Sequence, residues 1–103
     1  MALRNVVQFE TQTGITATSD VFVVDPAKEA SAALVLTAGT PTTGAQLQVT
    51  LDEADKIAAG TAQWIGSPLG LRTTSGAEKV LRPVTGLRLV ATDGTWTLQV
   101  RQA

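Results

Sequence analysis

The clearest pattern of apolar and polar residues lies near the C-terminus, where two alternating runs flank Asp93-Gly94. This dipeptide is preferred in the two-residue type I′ turn of a β-hairpin. With that turn, residues at equal distance from it share one face of the sheet. The apolar face would hold Ala91/Trp96, Leu89/Leu98 and Leu87/Val100, and the mainly polar face would hold Thr92/Thr95, Val90/Thr97 and Arg88/Gln99. Because a slip of one residue would mix the two faces, we predict an antiparallel hairpin in this register.

A second alternating segment runs from Ala45 to Asp52. Its apolar residues all fall on one side: Ala45, Leu47, Val49 and Leu51. Alternation of this kind is typical of a strand with one buried face. We predict a half-buried antiparallel strand here.

The period changes between Asp52 and Gly60. Apolar residues recur there at helical spacing: Ala54, Ile57 and Ala58. Asp52 stands where a helix N-cap is expected, and Gly60 lies just past the end. We predict one short helix near residues 53–59.

Other runs predict further strands. Near the N-terminus, Leu3, Val7 and Phe9 share a parity that Asn5 interrupts. The next run also keeps one parity for its apolar residues, which are Ile15, Ala17, Val21 and Val23. Asp25-Pro26 ends that run, because proline has no amide hydrogen to donate. We also expect extended chain at residues 33–38, 61–65 and 69–73.

Short strands separated by turn residues are typical of all-β folds. We therefore predict an antiparallel β-sandwich or a small Greek-key barrel that includes the one short helix. The length of 103 residues fits a single domain, residues 1–103. Hydrophobic residues make up 44% of the chain and charged residues 17%. This balance indicates a folded chain rather than a disordered one.

Charge and hydropathy exclude two classes of partner. The formal net charge is −1 and the basic residues are scattered singly, so little electrostatic attraction to nucleic acid is expected. The longest run of low polarity, Ala30 to Ala38, is far shorter than the roughly 20 residues of a membrane-spanning helix. Residues 1–8 lack the apolar stretch of a secretory signal, so we expect synthesis in the cytoplasm.

Candidate chemistry is sparse. The chain has no histidine and no cysteine, which removes Ser-His-Asp catalysis, the usual zinc sites and thiol chemistry. Asp52, Glu53 and Asp55 could serve a glycosidase or a calcium site. The favoured interpretation is that they cap the first turn of the helix and offset its dipole. No glycine-rich stretch fits a phosphate or dinucleotide motif, so we predict no catalytic, metal or cofactor site.

Basic and aromatic side chains are the remaining candidates for binding. Five basic residues of the C-terminal half are interpreted as a solvated or ion-paired surface, because Glu78 and Asp93 are interspersed with them: Arg72, Lys79, Arg82, Arg88 and Arg101. Trp96 falls on the apolar hairpin face and is predicted to lie in the core. Trp64 fits either the core or an interface.

Two stretches carry a family resemblance. Gly60-Thr61-Ala62-Gln63-Trp64 and Gly86 to Val100 resemble the closing half of small structural proteins of tailed bacteriophages. The resemblance covers under half the chain. Such proteins include capsid decoration, or cement, subunits, which are compact β domains that are often trimeric and clamp neighbouring major capsid proteins. The resemblance thus implies a virion protein that is made in the host cytoplasm.

The leading hypothesis is a non-enzymatic capsid decoration subunit that forms a homo-oligomer, with a trimer as one option, and binds the major capsid protein. The alternatives are a tail, neck or fibre-base component that binds other virion proteins, and a carbohydrate-binding or adhesion module that uses Trp64. Uncovered edge strands invite pairing with another chain, and the run from Val6 to Phe9 is the candidate edge. We therefore predict an interface at Val6, Val7, Phe9 and Trp64.

Overall fold

Nine β-strands and one short helix are formed by residues 2–80 and 84–102, the part of the chain that the computed structural model describes. The elements are β1 (Leu3–Asn5), β2 (Phe9–Ile15), β3 (Val21–Val23), β4 (Ala30–Ala38), β5 (Ala45–Thr50), α1 (Ala54–Ala59), β6 (Ile65–Arg72), β7 (Gly76–Val80), β8 (Gly86–Ala91) and β9 (Thr95–Gln102). Helix α1 has six residues, and no helix in the described ranges is long and apolar enough to cross a membrane.

The strands form two sheets that pack face to face. The five-stranded sheet has the order β1-β3-β8-β5-β6, and the four-stranded sheet has the order β2-β9-β4-β7. Neighbouring strands are antiparallel except for β1 and β3. The predicted all-β sandwich is confirmed, and the chain passes repeatedly from one sheet to the other.

The hydrophobic core lies between the two sheets. Its large side chains with no exposed surface are Phe22, Leu34, Leu47, Leu87, Leu89, Trp96 and Leu98. Burial of each such side chain contributes about 1.5 to 3 kcal/mol to folding. The apolar faces predicted for β5, β8 and β9 are the faces that line this core.

The prediction that β8 and β9 pair as a hairpin at Asp93-Gly94 is wrong. Strand β8 pairs with β3 and β5, whereas β9 pairs with β2 and β4, so the two strands face each other across the core. A type I′ turn needs positive φ at both central residues. Only Gly94 has it, with φ of 79°, and no described residue other than glycine has positive φ. The link therefore passes from one sheet to the other.

The N-terminal runs are also divided between the sheets. Strands β1 and β2 lie in different sheets, and the chain crosses between them at residues 6–8. In the next run, Ile15 ends β2 while Val21 begins β3 in the other sheet. The shared parity of each run thus does not mark one continuous strand, because the chain turns within it. The later prediction of extended chain at residues 69–73 is largely confirmed by β6.

The helix forms where it was predicted. Gly60 ends it in the left-handed region, with φ of 77°, as expected of a glycine at this position. The N-cap is Glu53 rather than Asp52. The Asp52 carboxylate instead accepts a hydrogen bond of 2.6 Å from the amide of Gln63, and so closes the loop around the helix.

Candidate functional site

Strand directions decide which connections lie at the same end of the sandwich. In the five-stranded sheet, β1, β3 and β5 end where β6 and β8 begin. In the four-stranded sheet, β2 and β4 begin where β9 ends. Gln102 joins these ends, because its side chain exchanges two hydrogen bonds of 2.9 Å with the backbone of Asp25. The β1–β2 connection, helix α1 and the start of β6 therefore lie at one end.

Four large apolar side chains are exposed at this end. The exposed fractions are 77% for Val7, 51% for Phe9, 66% for Leu51 and 59% for Ile65. Leu51 is a correction to the predicted strand, since β5 ends at Thr50 and Leu51 turns outward instead of joining the buried face. We call Val7, Phe9, Leu51 and Ile65 the apolar end.

The predicted interface residues at the N-terminus do not share one environment. Val7 and Phe9 are exposed, and Phe9 begins β2, which is an edge strand as predicted for this run. Val6 is only 7% exposed, packs in the core and donates its amide to the carbonyl of Val23 at 2.8 Å. The Val6 side chain is therefore not available to a partner.

Trp64 is half-buried on the outer face of the five-stranded sheet, not between the sheets. Its ring lies beside Gly86, where an added Cβ would stand 3.5 Å from Trp64 Cη2 and 3.2 Å from Ile57 Cδ1. The Arg88 guanidinium stacks 4.4 Å from the ring centroid and donates to Gln48 Oε1 at 2.8 Å. Burial lowers the pKa of Arg88, which nevertheless stays charged. Trp64 and Ile57 of helix α1 thus both lie over Gly86 on the outer face of the sheet.

A groove crosses the outer face of the four-stranded sheet next to the apolar end. It has a volume of 390 Å³, and its lining includes Phe9, Ser31, Ala33, Ala77, Gln99 and Arg101. Phe9 and Ser31 both lie opposite Arg101 in the sheet register, and Ala33 lies opposite both Gln99 and Ala77. Small side chains on β4 and β7 form the floor of the groove, and larger side chains on β2 and β9 form its wall.

Arg101 supplies the positive charge of this groove. Its guanidinium lies 5.9 Å from the ring centroid of Phe9, and it has no ion-pair partner among residues 2–80 and 84–102. Thr11, opposite Gln99 on the same sheet, has a buried hydroxyl oxygen without a hydrogen bond in the described structure. Thr11 itself does not line the groove, so Arg101 is the charged group that the groove offers.

The acidic residues do not converge on a site. Asp52 holds Gln63, Asp55 Oδ1 accepts from the adjacent amide of Lys56, and Glu53 is exposed at the helix start. The described residues contain no cluster of acidic side chains that could hold a metal ion. The predicted capping is only partly observed: Asp52 is not the N-cap, the Glu53 side chain makes no capping hydrogen bond, and Asp55 alone lies in the first turn.

The basic residues of the C-terminal half are dispersed. Arg72 donates to Thr74 and Ser75 in its own turn, whereas Arg88 and Arg101 lie on the outer faces of opposite sheets. None of these three forms an ion pair within the described ranges. The side chain of Lys79 and residue Arg82 lie outside the described part.

An ion-pair network that the sequence did not indicate closes the open side of the sandwich between β1 and β2. Arg4 contacts Asp20 at 2.9 Å and Glu10 at 3.5 Å, and donates to the carbonyl of Thr11 at 3.0 Å. Its partners are up to 16 residues away, and no local pattern marks them.

No protein-family model and no curated protein matches the sequence. Two solved structures match this chain at low sequence identity. One is a subunit of Bacillus endospore appendages, described as disulfide-linked pili, with 17% identity over 92% of this chain and 82% of that chain and a TM-score of 0.45. The other is the CBM22-1 xylan-binding domain of Paenibacillus barcinonensis Xyn10C, with 14% identity over 89% of this chain and 62% of that chain and a TM-score of 0.39. At these TM-scores neither likeness bears on function.

Proposed function

We propose that this protein is a non-enzymatic structural subunit that binds a neighbouring protein through its apolar end. The observation that supports this proposal is the position of Val7, Phe9, Leu51 and Ile65, each more than half exposed at the same end of the sandwich. Burial of one such side chain in an interface contributes about 1.5 to 3 kcal/mol before the costs of association. Val7 and Phe9 lie on the β1–β2 side of this end and Leu51 and Ile65 on the β5–β6 side, so the end offers a partner two apolar pairs.

In its specific form, the proposal is a capsid decoration subunit of a tailed bacteriophage, with the major capsid protein as its partner and the virion as its location. The resemblance of residues 60–64 and 86–100 to such proteins supports this form. A capsid presents many identical sites, so modest contacts from each subunit gain strength by multivalency when the subunits are linked.

Co-sedimentation with capsids tests the proposal. The protein is mixed with empty shells of the phage that encodes it, assembled without decoration protein, and the shells are pelleted. Binding should fall about tenfold or more for Ile65→Asp, because a charge is then brought into an apolar contact. Failure of the wild-type chain to pellet with the shells would overturn the proposal.

Leu71→Asp is the matched control. Leu71 lies on the same strand as Ile65 and is exposed to nearly the same fraction, 57% against 59%, but it stands at the opposite end of β6. The Leu71→Asp variant should pellet with the shells as the wild type does. Equal loss for both variants would show that the apolar end is not the contact.

The two alternatives predict different observations. A tail, neck or fibre-base component would appear as density at that part of the particle in electron cryomicroscopy, and not on the shell. A carbohydrate module that uses Trp64 needs a free ring face, whereas Arg88 stacks on this ring at 4.4 Å. Glycans should accordingly leave the fluorescence of Trp64 unchanged.

A further inference from the structure

The groove on the four-stranded sheet has the properties of a site for an anionic partner. Ala33 and Ala77 give it an apolar floor, and Arg101 gives it one cation without an ion-pair partner in the described ranges. Complementary charge fixes the orientation of two protein surfaces and speeds their encounter. The expected occupant is a protruding segment with an exposed apolar side chain next to carboxylates.

The chain itself has such a segment at the start of helix α1. Leu51 is 66% exposed, and Glu53 and Asp55 follow it, both exposed and both without an ion pair among the described residues. We call Leu51, Glu53 and Asp55 the acidic corner. Its composition is complementary to that of the groove.

The two surfaces of one copy cannot meet. Helix α1 packs on the outer face of the five-stranded sheet, because Ile57 lies over Gly86, whereas the groove lies on the outer face of the other sheet. The acidic corner and the groove therefore point to opposite sides of the sandwich. A second copy can supply what each surface lacks.

We infer that the acidic corner of one copy binds in the groove of the next, with Glu53 or Asp55 facing Arg101. This contact is heterologous: each copy contributes its groove to one neighbour and its acidic corner to the other. In a closed ring every groove and every acidic corner is therefore occupied. Around an axis parallel to the strands, such a ring presents Val7 and Ile65 of its subunits on one side, whereas Leu51 and Phe9 lie at the contact between copies. This last point rests on the proposed function, because the ring would then bind the shell through Val7 and Ile65 of several subunits at once.

Sedimentation equilibrium over a range of concentrations tests the inference. The wild-type mass should rise to a plateau at a small multiple of the chain mass of 10.7 kDa. Arg101→Glu should weaken association at least about tenfold, because like charges then face each other. Association should also weaken with added salt, which screens exposed charges beyond about 10 Å at 0.1 M.

Charge exchange provides the decisive control. Glu53→Lys with Asp55→Lys should weaken association as Arg101→Glu does, and the triple variant that combines all three changes should recover most of it. Lys28→Glu makes the same charge change as Arg101→Glu on an exposed loop outside the groove, and should leave the mass unchanged. Circular dichroism verifies that each variant is folded.

The outcomes separate this inference from the proposed function. Three results would contradict the ring. The wild-type chain stays at 10.7 kDa, its mass grows with concentration without a plateau, or the Arg101→Glu variant has the wild-type mass. A monomer that still pellets with capsids would overturn the ring alone. A ring that does not pellet would overturn the proposed function and leave the ring in place.

Discussion

The carboxylate of Asp93 accepts a hydrogen bond from the amide of Gly44, 49 residues earlier in the chain. The same carboxylate accepts from the amides of Thr42 and Thr43, at 2.9 and 3.2 Å. Residues 42–44 precede β5 and residue 93 precedes β9, so the carboxylate connects the two links that cross between the sheets at the end opposite the apolar end. Asp93 is thus a clamp between loops instead of a hairpin residue.

Protonation of Asp93 should weaken this clamp. The backbone amides, first that of Gly44, lower the pKa of Asp93 from 3.8 to about 2. Because the folded-state pKa lies below the unfolded value, the stabilisation is complete above 3.8 and is lost as pH falls through about 2. The thermal midpoint of Asp93→Asn should therefore lie below that of the wild type at neutral pH, and the gap should narrow towards pH ~2. Thermal unfolding followed by circular dichroism at a series of pH values measures this difference in midpoint.

Asp25→Asn serves as the control for this pH series, since Asp25 is exposed and, among the described residues, its carboxylate accepts a hydrogen bond only from the amide of Ala27. The thermal midpoint of this control variant should differ little from that of the wild type at every pH. A gap for Asp93→Asn that stays constant from neutral to acid pH would contradict the role of the carboxylate charge.

Gly44 should tolerate no side chain. It has φ of 87°, and a Cβ atom would stand 1.8 Å from the carbonyl oxygen of Arg72. Gly44→Ala should cost about 3 kcal/mol or more, because the backbone strain adds to a clash that only a shift of β6 relieves. Gly60→Ala is the matched control, with φ of 77° and no atom within 4 Å of the added Cβ. It should cost about 1 to 2 kcal/mol in urea unfolding. Equal losses for the two variants would be evidence against the clash.

Alternation predicted the buried faces of β5, β8 and β9 because each of these strands has one face on the core. It could not predict the pairing of β8 with β9, since Leu89 and Leu98 show the same pattern whether they face each other within a sheet or across the core. The hairpin predicted at Asp93-Gly94 does not form, for a physical reason. The side chain of Asp93 binds residues 42–44, and this long-range contact overrides the local preference for a hairpin.

The candidate site was predictable only in part. The exposure of Val7 and Phe9 could be predicted from an apolar run near a sheet edge. Leu51 is exposed because β5 ends one residue before it, and Ile65 because β6 begins there. The groove depends on the register of β4 with β7 and β9, which places Ala33 beside Ala77 and Gln99. Register between distant segments has no local signal in the sequence, so Arg101 could be recognised as a charge but not as part of a groove.

Trp64 and Arg88 should be energetically coupled. A double-mutant cycle with Trp64→Ala and Arg88→Ala should give a coupling of about 1 kcal/mol in urea unfolding, because the guanidinium stacks on a half-buried ring. Arg88→Lys keeps the charge but loses the planar stack and the fixed hydrogen bond to Gln48, so it should recover only part of the coupling. Full recovery by lysine, or additive losses, would show that the stacked geometry contributes nothing.

Arg4 should matter more for association of edge strands than for stability. Its ion pairs with Asp20 and Glu10 are about one-third exposed, so Arg4→Met should cost no more than about 1 kcal/mol. The same change frees the carbonyl of Thr11 on β2, an edge strand, and unpaired edge groups invite pairing with another chain. Light scattering of a concentrated solution should therefore rise faster for Arg4→Met than for Arg72→Met, whose arginine contacts only its own turn. Equal rates for the two variants would mean that Arg4 does not protect this edge.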